Sequence, residues 1–258
     1  MTALLERHRG LLALGARETE RVLKLWSQTI VAPVLASFLF ILVFGLSLGG
    51  RIREIDGVAY EVFIVPGLIA MAMAQAAYSN NSSSVFQARA DRYINDVLSS
   101  PMRSWEVNLG LSFGGVVRAL SIGISLLVLA VAVTDVPVRE PFVLALALAI
   151  LLVLFASLGV VVGVYAETWD QAGFVNNILI LPLSFLGGVF YSVELLPSPW
   201  AQISHVNPVF FLINAIRYGF LGTSDVPIAI ALGVTAALAL ACAAWSASMF
   251  GSGRRLKP

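Results

Sequence analysis

Two G-x-S-x-G pentapeptides, residues 45–49 and 110–114, have the most familiar catalytic spacing in this sequence. In hydrolases this pattern places a nucleophilic serine on a strained turn between a strand and a helix. Here both pentapeptides lie in or beside long apolar segments, and no strand pattern precedes either one. Because Ser47 and His205 are expected near the same face of the molecule, a serine hydrolase that uses this pair is kept as an alternative.

The same glycines also fit the G-x-x-x-G pattern, in which two glycines share one face of a helix. Without side chains at these positions, two helix backbones can approach each other closely. We expect such packing faces at three pairs: Gly45 with Gly49, Gly110 with Gly114, and Gly159 with Gly163.

Other common kinds of chemistry lack the residues they need. The chain has one cysteine, Cys242, and two histidines, so a cysteine-rich or histidine-rich metal site is not expected. A phosphate-binding loop needs Gly-Lys followed by Ser or Thr, and neither Lys24 nor Lys257 stands in that context. We therefore expect no metal and no cofactor in this chain.

The composition indicates a membrane protein. Of the 258 residues, 59% are hydrophobic and 12% are charged, whereas soluble domains average about 25% charged residues. So few charges cannot cover so much apolar surface in water, which excludes a soluble enzyme and a disordered chain. The net charge of +1 gives no basic field for nucleic acid.

Six apolar runs are long enough to be membrane-spanning helices, which need about 20 residues. Because they are continuous rather than alternating, they favour helices over barrel strands. The predicted fold class is therefore an all-α membrane protein with six transmembrane helices. The runs are residues 30–48, 62–78, 109–133, 141–165, 174–191 and 226–250.

Basic residues predict the orientation of these helices. Most Lys and Arg residues near the runs fall in the N-terminal segment, between runs two and three, or at the C-terminus. Since positive residues concentrate on the cytoplasmic side, both termini are predicted to be cytoplasmic. We expect one transmembrane domain over residues 1–258, divided into a cytoplasmic interfacial helix (1–28), a six-span bundle (29–250) and a cytoplasmic tail (251–258).

Two cytoplasmic segments have amphipathic patterns. Residues 3–28 mix basic and apolar residues, as expected for a helix that lies along the membrane interface; a flexible basic tail is the alternative. Residues 85–105 form the longest polar insert on the same side, with apolar residues at helical spacing. From its residues alone, this second segment fits equally well a helix on the membrane or one that binds a cytoplasmic partner.

The outer segment between runs five and six, residues 192–225, is unusually long for a loop without structure. Residues 209–220 are apolar but too short to cross the membrane. We therefore predict a half-buried or re-entrant helical hairpin, with an irregular loop as the alternative. Its candidate residues are Pro197, Trp200, Asn207, Pro208, Arg217 and Tyr218.

Polar residues inside the runs are candidates for function because charge and polarity are costly in lipid. Arg118 lies within run three and is predicted either to pair with Glu106 or Glu167 or to extend to the inner interface. Other polar side chains in runs two and five should face the bundle interior, either as contacts between helices or as ligand contacts. These are Gln75, Tyr78, Asn176 and Asn177.

Five short stretches, in this order and within the six-span plan, resemble the permease subunits of type-2 ABC transporters. The resemblance is strongest to the YadH-type bacterial inner-membrane permeases and weaker to NodJ-type permeases. The stretches are FIVPGL at 63–68, NDVLSSP at 95–101, LGGVFYS at 186–192, NP at 207–208 and RYGFLG at 217–222.

The resemblance implies a transport subunit without catalysis of its own. It implies that residues 1–28 form the connecting helix, and that residues 89–99 contain the coupling helix that docks on a cytoplasmic ABC ATPase. Two permease copies would work with two ATPase subunits, which bind the ATP and Mg. The implied coupling residues are Arg89, Asp91, Arg92, Tyr93, Ile94, Asp96, Val97 and Leu98.

The resemblance further implies that runs one and five line the substrate route, in a protein that works by alternating access among membrane lipids. Their side chains are mostly apolar, so we expect an exported lipid, glycolipid or hydrophobic drug; a polysaccharide exporter and a scaffold that transports nothing are the alternatives. The candidate path residues are Phe40, Phe44, Gln75, Tyr78, Asn176, Asn177, Phe185 and Tyr191.

Overall fold

The computed structural model describes residues 8–49, 52, 54–55 and 57–253. Within them the chain is mostly helical, with one two-stranded antiparallel hairpin, β1 (Glu54–Ile55) and β2 (Val58–Ala59). The helices are α1 (Arg9–Lys24), α2 (Ala32–Gly49), α3 (Tyr60–Ala90), α4 (Ile94–Ser99), α5 (Ser104–Val133), α6 (Pro141–Tyr165), α7 (Trp169–Val175), α8 (Leu181–Leu186), α9 (Trp200–Val206), α10 (Pro208–Leu221) and α11 (Ile228–Ser252).

Five helical segments in the described chain are long and apolar enough to cross a membrane, which confirms an all-α membrane protein. They coincide with runs one to four and run six. Run five differs, because it forms three short consecutive pieces instead of one long helix. The five segments are Ser27–Gly45, Tyr60–Ala90, Ser104–Val133, Pro141–Tyr165 and Ile228–Ser252.

Helix α3 lies at the centre of the bundle, where it contacts α2, α5, α6 and α10. The approach of α6 depends on glycine: a Cβ at Gly159 would lie 2.5 Å from the Tyr78 carbonyl oxygen, and one at Gly163 would lie 2.6 Å from that of Ser82. The predicted packing face on run four is therefore confirmed. Gly110 and Gly114 serve a different partner, because they pack against α1 as well as α3.

The two described ends of the chain meet at the start of α5. His8 Nδ1 lies 2.6 Å from Glu106 Oε1, and a Cβ at Gly251 would lie 3.5 Å from Ser104 Oγ. Helix α4 immediately precedes this point, so we call this side of the bundle the α4 end. The opposite side, which carries β1 and β2, is the β-hairpin end.

Residues 169–186 extend along α3 between these two ends. Near the α4 end the Trp169 ring packs edge-on against Phe86, with 4.7 Å between the ring centroids. Toward the β-hairpin end, Val189 lies so close to Gly67 that a Cβ there would be 2.8 Å from the Val189 Cα. A π-helical turn (Asn176–Ile180) joins α7 to α8, and a second one (Ser27–Val31) leads into α2.

The segment after α8 forms a pair of helices, as predicted from its Pro and Asn residues. The Asn207 side chain caps α10: its Oδ1 accepts a hydrogen bond from the Val209 N–H at 2.9 Å, while its Nδ2 donates to the Leu183 carbonyl at 2.6 Å. Pro208 is the first residue of α10, where a missing N–H costs nothing. The irregular-loop alternative is therefore wrong.

Candidate transport cavity and coupling segment

A cavity of about 370 Å³ lies between α2, α3, α5 and the π-helical turn that precedes α8. One part of its wall is polar, and the rest consists of aromatic, alanine and other apolar side chains. Its polar lining residues are Ser37, Gln75, Ser79, Arg118 and Asn176, and its aromatic ones are Phe40 and Phe185.

Four of the predicted path residues line this one cavity: Phe40, Gln75, Asn176 and Phe185. They come from three separate runs of the sequence. A fifth, Phe44, stacks on Phe40 with 5.8 Å between the ring centroids and so continues the aromatic wall. Their part in transport stays a prediction, but the folded chain brings them together.

The other predicted path residues do not line the cavity. Tyr78 is fully buried, and its hydroxyl donates to the Ala172 carbonyl at 2.7 Å, so it joins α3 to α7. Asn177 is exposed, and its Oδ1 accepts from Asn176 Nδ2 at 3.2 Å. Tyr191 is half-buried beyond the end of α8.

The predicted partners of Arg118 are wrong. Its Nε donates to the backbone carbonyl of Thr29, 2.9 Å away, in the π-helical turn before α2. Glu106 has partners of its own, because Oε1 lies near His8 and Oε2 accepts from the Arg103 N–H at 2.7 Å. The guanidinium therefore stays at the cavity wall, where it joins α5 to the start of α2.

A buried carboxylate at the α4 end did not emerge from the sequence patterns. Glu18 on α1 is 1% exposed, and Ser84 Oγ on α3 donates to its Oε2 at 2.7 Å. Arg17 and Arg21 flank it, with N–O distances of 2.8 and 3.0 Å. The spacing of Leu14, Glu18 and Val22 could have revealed it, because residues four apart share a helix face.

The coupling segment begins later than predicted. Arg89 belongs to the last turn of α3, and its Nη1 donates to the carbonyls of Gly163 and Ala166 at 3.1 and 2.9 Å. The chain then turns at Arg92, whose φ is 61°, and α4 starts at Ile94. Arg89 therefore satisfies carbonyls at the end of α6, which explains why the short helix cannot include it.

Helix α4 is attached to the bundle by one face only. Ile94 and Val97 are buried, and Leu98 is half-buried. The Tyr93 ring lies under the Arg17 guanidinium, whose Cζ is 4.5 Å from the ring centroid. Burial raises the pKa of the Tyr93 hydroxyl, although Arg17 acts in the opposite direction. The charged residues of the segment stay exposed to a partner: Asp91, Arg92 and Asp96.

In the predicted outer hairpin, Arg217 is the most deeply buried of the candidate residues, 1% exposed. Its Nη2 donates to the Gly188 carbonyl, and its Cζ lies 4.1 Å from the centre of the Phe63 ring. This places a charge between α10, α3 and the turn after α8. Pro197 and Trp200 are exposed, while Tyr218 is half-buried.

The match to known proteins covers most of the chain. Residues 9–221 match the family model described as the ABC-2 type transporter. The chain belongs to the ABC-2 type transporter permease family. It is 40% identical over 250 residues to the inner membrane transport permease YadH of Escherichia coli K12, covering 95% of this chain and 97% of that protein. The Shigella flexneri YadH gives the same values, and nodulation protein J of Rhizobium leguminosarum bv. viciae is 25% identical over 214 residues, covering 81% and 83%.

Membership of the ABC-2 family confirms the resemblance seen in the sequence. The chain is a multi-pass inner-membrane protein and a membrane subunit of an ABC transporter, and the family implies an ABC ATPase as its partner. The serine-hydrolase alternative gains no support, because Ser47 lies within α2 and Ser112 within α5, not on a strand-to-helix turn.

Proposed function

We propose that this ABC-2 permease exports a lipid, glycolipid or hydrophobic drug by alternating access, as a homodimer driven by two copies of a separate ATPase. The observation that carries this proposal is the cavity at Arg118, which combines a polar wall with an aromatic and aliphatic one. A ligand with a polar head and a greasy body matches that division. The polysaccharide alternative is less well supported, because a long polar chain would not use the apolar part of the wall.

The proposed topology has six crossings, with residues 169–186 as the fifth. These 18 residues would span about 27 Å as a helix, close to the roughly 30 Å of a hydrocarbon core. This crossing is required if both termini lie on one side, because five crossings would separate them. The helices α9 and α10 would then form the re-entrant hairpin.

We assign the α4 end to the cytoplasm because positive residues gather there. Arg and Lys residues are enriched on cytoplasmic faces of inner-membrane proteins. In the described chain this end carries Arg9, Arg17, Arg21, Lys24, Arg89, Arg92 and Arg103. The exposed charges of α4 would therefore face the ATPase.

A chain of contacts supports a route from α4 to the cavity. Tyr93, just before α4, supports Arg17 of α1, and Arg17 pairs with Glu18. Glu18 accepts a hydrogen bond from Ser84 of α3. Helix α3 also supplies Gln75 and Ser79 to the cavity wall. A displacement of α4 by the ATPase would thereby act on the cavity, and ATP would favour one of two bundle arrangements.

Co-purification and flux test this proposal. The permease is expressed with a small ABC ATPase, purified in mild detergent and reconstituted in vesicles that contain a fluorescent lipid. We expect equal amounts of the two chains and lipid movement that depends on ATP. An ATPase that hydrolyses ATP without moving any amphiphile would favour the scaffold alternative and contradict the proposal.

A paired variant tests the docking surface. Reversing two exposed charges, with Arg92→Glu and Asp96→Lys, should release the ATPase during purification. The matched control is Glu20→Lys, which changes an exposed charge on α1. Unchanged association of the Arg92 and Asp96 variant would exclude this face as the docking surface.

A further inference from the structure

We propose that the cavity recognises the anionic headgroup of an amphiphile, with Arg118 as the counter-charge. This inference rests on the proposed export function and specifies its cargo as a lipid-like molecule that carries a phosphate or carboxylate. The acyl portion would lie along the apolar wall. The argument depends on the charge balance of the cavity, on its uncommitted polar groups and on its size.

The charge balance of the cavity is positive. Arg118 lines it, and no aspartate or glutamate is among the described residues that do. Within the described chain Arg118 makes one hydrogen bond, from Nε to Thr29, which leaves both Nη groups uncommitted. A guanidinium inside a membrane protein is expected to have an anionic partner. Its two free N–H-bearing nitrogens match the paired oxygens of a phosphate or carboxylate.

The polar groups around Arg118 are also uncommitted. Ser37 is 8% exposed, and its hydroxyl has no hydrogen-bond partner among the described residues. The same holds for the side chains of Gln75 and Ser79, which lie one helical turn apart on α3. Buried polar groups normally have hydrogen-bond partners, so three unpaired ones beside a cation indicate a polar ligand.

The size of the cavity fits a headgroup rather than a whole lipid. At about 370 Å³ it lies at the small end of the range for ligand pockets, roughly 300–1,000 Å³. The apolar lining supplied by Pro33, Ala36, Met71 and Leu181, together with the Phe40 and Phe185 rings, would contact the first part of an acyl chain. The remaining chain would stay in the bilayer.

Binding to the purified permease, without its ATPase, tests this inference. Fluorescent phosphatidic acid and fluorescent phosphatidylcholine with identical acyl chains are titrated against the protein in a neutral maltoside detergent. We expect phosphatidic acid to bind at least about tenfold more tightly, as one charge-assisted interaction allows. Arg118→Gln should abolish this preference, and Arg118→Lys should retain part of it. Arg139→Gln, which removes an exposed charge at the β-hairpin end, should leave it unchanged.

A second variant guards against misfolding of Arg118→Gln. Ser79→Asp keeps Arg118 and its hydrogen bond to Thr29 but places a competing anion in the cavity. It should also abolish the preference, while the elution volume and the melting temperature stay close to those of the wild type. Inorganic phosphate is titrated as a competitor and should displace the lipid only weakly, because it lacks the apolar portion.

Several outcomes would overturn the inference: equal binding of both lipids to the wild type, a preference that survives both Arg118→Gln and Ser79→Asp, or displacement by phosphate as effective as by the lipid. These results are distinct from a failure of the proposed function. Selective binding without ATP-driven flux would overturn export alone, whereas flux with no headgroup selectivity would overturn the present inference alone.

Discussion

The carboxylate of Glu18 holds α1 onto the bundle at three points. Ser84 of α3 donates one hydrogen bond to it, and Arg17 and Arg21 balance its charge. The two arginine side chains stay partly exposed, at 44% and 30%, so water screens these pairs. The buried hydrogen bond from Ser84 is therefore the contact that most requires a carboxylate at this position.

Replacing Glu18 by Gln should loosen α1. The amide keeps the size of the side chain but loses the charge, so we expect a loss of about 1–2 kcal/mol in unfolding free energy. Thermal unfolding in detergent and proteolysis near α1 would detect it. The control is Glu20→Gln, because Glu20 is 64% exposed and pairs only with the exposed Lys24. Equal stability of both variants would contradict the anchoring role.

Sequence analysis found part of the site at this scale. Polar residues in apolar runs identified Gln75, Asn176 and Arg118, because polarity in lipid needs a reason. Glu18 was missed because α1 is rich in exposed charges, and one more acidic residue there resembled a solvated one. Ser37 and Ser79 were missed because a single serine is common in membrane helices.

Among the helices, α3 and α6 make the closest contact. Gly159 lets α6 approach the α3 backbone at Tyr78, where a methyl group would meet a carbonyl oxygen rather than a flexible side chain. This contact cannot adapt without moving a whole helix. Packing in lipid depends on such close approach, because water does not drive the helices together.

Gly159→Ala should therefore destabilise the bundle by about 1–3 kcal/mol, as overpacking does elsewhere. The melting temperature of the purified protein measures the effect. Gly233→Ala on α11 is the matched control, since no atom lies within 4 Å of its added Cβ. If the two substitutions changed the melting temperature equally, helix propensity and not the α3–α6 contact would explain the result.

Helix α4 should lose its connection to α1 when the ring below Arg17 is removed. Tyr93→Ala should reduce lipid flux for each ATP hydrolysed, because α4 could then move without displacing α1. Tyr93→Phe keeps the ring and should behave like the wild type, and so should Ser99→Ala at an exposed position of α4. Vesicle assays of flux and hydrolysis on the same preparation measure the ratio. A normal ratio in Tyr93→Ala would rule out this contact as the link.

Element positions were predictable wherever hydrophobicity was continuous. Runs two, three and four correspond to single helices. Run five was not predictable as three pieces, because the wide turn at Asn176–Ile180 is a hydrogen-bond pattern that hydrophobicity does not encode. The start of α4 was misplaced for a similar reason: Arg89 has the polarity of the loop, but its partners are carbonyls of α6 that lie far away in sequence.

For the whole molecule, the meeting of both described chain ends at the α4 end has a direct test. In a Cys242→Ala background, single cysteines replace Ser99, Ser252 and Glu194, all of which are exposed. In intact cells a membrane-impermeant thiol reagent should label position 194 only. All three should be labelled in opened membranes, which is the internal control. Labelling of position 252 but not 99 in intact cells would place the two ends on opposite sides and contradict the proposed topology.

The two wide turns beside the cavity also affect how this chain tolerates insertions and deletions. In each, an N–H bonds to a carbonyl five residues earlier, Leu181 to Asn176 and Ala32 to Ser27. Each turn thus holds one residue more than a regular helix would. Deleting that residue would let the helix close into its ordinary pitch and rotate everything beyond it by about 100°. After such a deletion the Phe185 ring would point elsewhere, although the length and greasiness of the segment would scarcely change.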